Sequence, residues 1–110
     1  MRVLGLMSGT SADGVDAVLA EFSGRPDRPQ WRVLASAATP YAPDLRRSLV
    51  AIGQGKPLAA ANLLDLSEAV TETQAQAARA CDPGGESQLV GCHGQTIWHR
   101  PPTAQRRGLS

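Results

Sequence analysis

The sequence predicts an α/β fold: an antiparallel β-meander, then helices, then a further strand. Three observations carry that reading. Apolar runs at Arg2–Met7, Val15–Phe22 and Trp31–Ala38 are joined by segments too short for helical crossovers, so neighbours pair antiparallel. From about Leu58 to Ala80 the apolar residues recur at helical spacing. Leu89–Cys92 is a short apolar run after that helix, a candidate buried strand joining the sheet. A chain of 110 residues with 42% hydrophobic content makes at most one small domain with a core.

Taken in order, Arg2–Met7 is the first strand and Val15–Phe22 the second. Ser23–Pro29, rich in Gly, Pro and Asp, reads as a turn. The third strand alternates, with Trp31, Val33 and Ala35 expected on one face and Arg32, Leu34 and Ser36 on the other. Pro40-Tyr41-Ala42-Pro43 ends the sheet. A short helix follows over Asp44–Ile52, with Pro43 at its first turn and Gly53 and Gly55 after its end. In the second helix Leu63, Leu66, Val70 and Ala77 share a buried stripe with Thr73, opposite Glu68, Glu72, Gln76 and Arg79. Asp82-Pro83-Gly84-Gly85 stops it.

Two stretches carry chemistry. The first, Gly9-Thr10-Ser11-Ala12-Asp13-Gly14-Val15-Asp16, links the first two strands. Its glycines allow close backbone approach, and a run of N–H groups without bulky side chains suits a phosphate chain. It is no Walker A loop, because the one lysine, Lys56, is far away and a strand follows rather than a helix. From local chemistry alone, an ordinary hairpin closed by Asp13-Gly14 accounts equally well for these residues. The second stretch is His93-Gly94-Gln95-Thr96-Ile97-Trp98-His99-Arg100-Pro101-Pro102. His93, Gln95 and Thr96 can exchange hydrogen bonds with sugar hydroxyls or an amide. Its place after a strand's carboxyl end is where open α/β sheets bind ligands.

Composition narrows the partners. A net charge of +1 and four aromatics, Phe22, Trp31, Tyr41 and Trp98, argue against nucleic acid. No apolar window is long enough to cross a membrane. Cys81 and Cys92, both expected to be buried, read as free thiols of a cytoplasmic protein. His93 and His99 lack a third ligand at zinc-site spacing, so no protein-held metal is expected. Cys92 and His93 face opposite sides of a strand, which disfavours a nucleophile–base pair.

The order of strands, Gly/Ser/Thr loop and helices resembles the first lobe of the actin/hexokinase/Hsp70 superfamily, a ribonuclease H-like fold. Two motifs bring the resemblance closer. Residues 7–16 are similar to the ATP phosphate-binding signature of the anhydro-N-acetylmuramic acid kinases, and residues 93–101 to the second signature of that family. They stand in the family's order and at a family-like separation.

The resemblance implies a cytoplasmic, bacterial sugar kinase of peptidoglycan recycling and amino sugar metabolism. Such an enzyme opens 1,6-anhydro-N-acetylmuramic acid with water and phosphorylates the 6-oxygen from ATP with Mg2+. By position, Gly9, Thr10, Ser11, Ala12, Asp13, Gly14, Val15 and Asp16 would hold the ATP phosphates, with Asp13 or Asp16 ordering magnesium-bound water. His93, Gly94, Gln95 and Thr96 would lie near the sugar. Superfamily relatives often begin the first loop with an Asp, where Met7 or Ser8 stands here. Residues 1–110 would be the N-terminal part of the first lobe, inactive alone, with the remainder of the enzyme absent. The general-base Asp, second phosphate loop and nucleoside pocket are expected beyond Ser110. A homodimer of the full-length enzyme is a further expectation. The competing readings are a non-catalytic nucleotide- or sugar-binding remnant and a different kinase of the superfamily.

Overall fold

Alternation in the first strand divides the sheet into two faces. In β1 (Arg2–Ser8), Leu4, Leu6 and Ser8 are buried on a covered face, while Gly5 and Met7 are exposed on the other. The computed structural model, which describes residues 1–109, pairs β1 antiparallel with β2 (Gly14–Arg25), and β2 antiparallel with β3 (Arg28–Pro40). Helices α1 (Pro43–Gly53) and α2 (Ala60–Cys81) then supply the long crossover that a parallel strand requires, and β4 (Leu89–Gln95) returns beside β1, parallel to it. The sheet order is β3-β2-β1-β4. Meander, helices and further strand thus follow the expected order, an α/β architecture consistent with part of an actin-like ATPase first lobe.

The core lies between the covered face and the helices. Leu4, Leu6, Val15, Ala17 and Leu19 of the sheet meet Leu49 of α1 and Leu66, Val70, Ala77 and Cys81 of α2. Burying each leucine stabilises the fold by roughly 1.5–3 kcal/mol. The buried residues of α2 (Leu66, Val70, Thr73, Ala77 and Cys81) fall at three- and four-residue steps, and Glu68, Glu72, Gln76 and Arg79 are exposed. The Thr73 hydroxyl satisfies itself by donating to the Ala69 carbonyl, 3.0 Å away. Pro43 begins α1, where its missing N–H costs no helical bond.

Several expectations need correction. Ser23–Pro29 is not a loop: the β2–β3 ladder extends to Arg25↔Arg28 and leaves Pro26 and Asp27 as the turn. Pro29 is tolerated because β3 is an edge strand, where one N–H can be missing. Trp31, Val33 and Ala35 do not share a face. Leu19 pairs with Ala35 but Ala20 with Val33, so Leu34 is an inserted residue that flips the alternation. Ala35 and Ala37 then pack on the core, while Trp31 and Val33 stay exposed.

β4 is not buried. It forms the edge opposite β3, and Leu89 and Val90 are each 54% exposed because α2 packs over β2, β3 and β1. Of the two free cysteines Cys81 is buried and Cys92, on that edge, is exposed. Leu63 is half-exposed, because it borders an open crevice near Ile97 rather than the sheet.

Candidate functional site

The β1–β2 ladder reaches Met7↔Asp16, so the intervening residues must reverse the chain tightly. The Gly9 carbonyl accepts the Ala12 amide at 3.2 Å, closing a β-turn. Ala12 is buried with φ 54°, a left-handed conformation that costs an alanine roughly 1–2 kcal/mol. Gly14 is required by crowding: a Cβ there would lie 2.3 Å from the Thr39 carbonyl oxygen and 2.7 Å from Pro40 Cα. The Asp13 carbonyl accepts the Tyr41 amide at 3.1 Å, which fixes the far end of the loop.

What this leaves free is the chemistry. Thr10 and Ser11 are exposed, and their amides have no protein partner among the described residues. Such N–H groups suit an anion. An open cleft of about 230 Å³ is lined by Gly9, Ser11, Asp13 and Asp16 of the loop region and by Thr39 and Pro40 of β3. Arg46 of α1 reaches Asp13 across 3.2 Å, an exposed ion pair that also sets a guanidinium beside the loop.

The donor set fits magnesium delivered with a triphosphate. Asp13 and Asp16 both line the cleft, and Mg2+ takes hard carboxylate oxygens, usually one or two of them, with phosphate oxygens and water completing the shell. Among the described residues no three His, Cys, Asp or Glu side chains gather as an all-protein cage.

The second signature meets the first through a bulge. Leu6 pairs with Cys92 but Ser8 with Gln95, so β4 carries an extra residue, absorbed where Gly94 adopts φ 76°. Gln95 thereby comes level with Ser8. Its Nε2 donates to the Gly9 carbonyl at 3.1 Å and to its neighbour Thr96's carbonyl at 2.9 Å. The buried Tyr41 hydroxyl lies 2.9 Å from Gln95 Oε1 and 3.1 Å from Ser8 Oγ. An amide oxygen only accepts, so Tyr41 donates to Gln95 and receives the Ser8 hydroxyl.

Both amide hydrogens of Gln95 are therefore committed inside the protein, while His93 is exposed and Thr96 half-buried. Gln95 and Gly94 also line a second crevice of about 220 Å³, with Leu66, Val70 and Ile97. The Gly9–Gln95 hydrogen bond joins the walls of the two depressions. Sequence reasoning missed Tyr41 and Arg46. The signal for Tyr41 was a phenol between two prolines at a strand end; nothing local marks Arg46.

Comparison with known proteins agrees with the two signatures. The family model described as anhydro-N-acetylmuramic acid kinase matches residues 1–109. Relatives bearing the name "Anhydro-N-acetylmuramic acid kinase" include proteins of Synechococcus sp. (strain CC9902), 64% identical, and Parasynechococcus marenigrum (strain WH8102), 63% identical. Another, from Prochlorococcus marinus (strain MIT 9211), is 53% identical. Each similarity covers 100% of this chain and 29% of the relative, so the chain spans less than a third of the length of these relatives. On the family match and on these identities, the chain belongs to the anhydro-N-acetylmuramic acid kinase family.

Proposed function

We propose that this chain is the phosphate-holding opening part of the first lobe of a cytoplasmic kinase that acts on 1,6-anhydro-N-acetylmuramic acid. In the full-length enzyme water adds at C1 and the C1–O6 bond breaks. The freed O6 takes the γ-phosphoryl group of ATP, ADP leaves, and the product is N-acetylmuramic acid 6-phosphate, an intermediate of peptidoglycan recycling. The reading rests on family membership and on one structural observation: a glycine turn with open amides is tied by Gln95 to the second signature.

The chain's own residues contribute positioning. The Thr10 and Ser11 amides would donate to phosphate oxygens, with Gly9 and Gly14 keeping the approach clear. Asp13 or Asp16 would accept hydrogen bonds from water around Mg2+, and the ion would neutralise phosphate charge. His93 and Thr96 present hydrogen-bonding groups toward the sugar. Gln95 acts from within, holding the two segments in register. The general base that takes the proton from water is an aspartate outside residues 1–110.

The test is a product assay. Full-length enzyme with ATP, Mg2+ and the anhydro sugar should release ADP and a sugar phosphate in equal amounts, identified by mass. ADP release independent of the sugar would overturn the assignment. Nucleotide binding without any turnover would leave only a binding module.

A further inference from the structure

Tyr41 touches three parts of the candidate site, and none of them belongs to the segment that carries it. Its backbone amide donates to the Asp13 carbonyl at the end of the phosphate loop, 3.1 Å away. Its hydroxyl meets Ser8, immediately before that loop, at 3.1 Å and Gln95 Oε1 in the second signature at 2.9 Å. The residue is 4% exposed, and Pro40 and Pro43 bracket it between β3 and α1.

The geometry assigns the Tyr41 hydroxyl as a positioning residue for phosphoryl transfer, acting through Gln95 to hold the second signature against the phosphate loop. This rests on the kinase reading above. With Tyr41 donating to Oε1, the Gln95 amide can only turn its Nε2 to the carbonyls of Gly9 and Thr96. Removing the hydroxyl leaves a part-buried amide oxygen without its donor and the Ser8 hydroxyl without its acceptor, which loosens the hold of Gln95 on the loop. Transfer needs the acceptor oxygen and the γ-phosphorus held near contact distance, and a displacement of about 1 Å can cost up to about 100-fold in rate. Neither substrate needs to touch Tyr41, so binding changes little.

Tyr41→Phe keeps the ring and removes only the hydroxyl. In the full-length enzyme it should lower kcat about 10-fold while the KM values for ATP and anhydro sugar stay within about 2-fold. Gln95→Leu should lower kcat at least as much, and adding Tyr41→Phe to it should change kcat less than about 2-fold. A residue that merely packs the core would lower the thermal midpoint and leave kcat below that midpoint unchanged. Wild-type kcat in folded Tyr41→Phe, or losses in the double variant that multiply, would overturn the inference. If Tyr41→Phe does not fold, Ser8→Ala removes the other arm of the link: a kcat loss at constant KM supports the inference, and wild-type kcat overturns it. A wild-type enzyme with no sugar-dependent turnover would instead overturn the kinase reading, and this inference with it.

Discussion

The side-chain amide of Gln95 donates to the carbonyl of Gly9, 3.1 Å away and 86 positions earlier in the chain. That carbonyl also accepts the Ala12 amide, so both of its lone pairs are engaged. The loop between β1 and β2 therefore has its full set of hydrogen bonds only with β4 beside β1 and Gln95 turned inward past the bulge at Gly94.

Gly14→Ala separates crowding from chemistry. The added methyl would collide with the backbone of Thr39 and Pro40, which cannot yield as a side chain would. The variant should lose about 1–3 kcal/mol, the usual cost of overpacking, read as a lower urea midpoint with an unchanged m-value. A midpoint equal to wild type would mean that the β2 start does not need glycine.

Asp13→Ala should behave in the opposite way. The Asp13 side chain is 72% exposed and its pair with Arg46 is open to solvent, so the stability change should stay below about 1 kcal/mol. ATP-dependent turnover of the full-length enzyme should nonetheless fall about 10-fold or more if the carboxylate orders water on the nucleotide-bound magnesium. Equal losses of stability and activity would assign Asp13 a structural role alone.

Away from the site, Asp82 makes stability depend on pH. Its carboxylate accepts the amides of Glu86 at 2.9 Å and Ser87 at 3.0 Å, and these bonds hold its pKa below the usual value. Because the folded form binds its proton more weakly than the unfolded chain, the stabilisation is present above the ordinary aspartate value of about 4. It is lost as pH falls through the lowered value. Glu21, held down by Arg2 first and by Arg32, acts in the same direction. Asp82→Asn should lower the urea midpoint at neutral pH and make the decline toward acid shallower; an unchanged acid slope would remove Asp82 as a cause.

How far the chain could be read without coordinates depended on whether its signals were local. The stripe Leu66–Val70–Thr73–Ala77 and the loop between β1 and β2 are short-range patterns, and the elements they predict are present. The bulge at Leu34 was not legible, because it depends on which residue of β2 lies opposite. The exposure of Leu89, Val90 and Cys92 depends on where the helices lie across the sheet, which no run of apolar residues specifies. At the site, the motif residues were visible as types. That Gln95 points inward, and that Tyr41 is what it points to, required the pairing Ser8↔Gln95.

The most direct test of the proposed phosphate-binding role of the β1–β2 loop is kcat/KM for ATP in the full-length enzyme carrying Gly9→Val. A Cβ at Gly9 would find only Ser11 Oγ nearby, at 3.8 Å, so the fold has room for a β-carbon there. The larger side chain would instead stand in the approach to the Thr10 and Ser11 amides. Losing one charged hydrogen bond there predicts a fall of roughly 10- to 100-fold, with circular dichroism and thermal midpoint close to wild type. A folded variant with unchanged kcat/KM for ATP would contradict the account, since the nucleotide would then be held elsewhere.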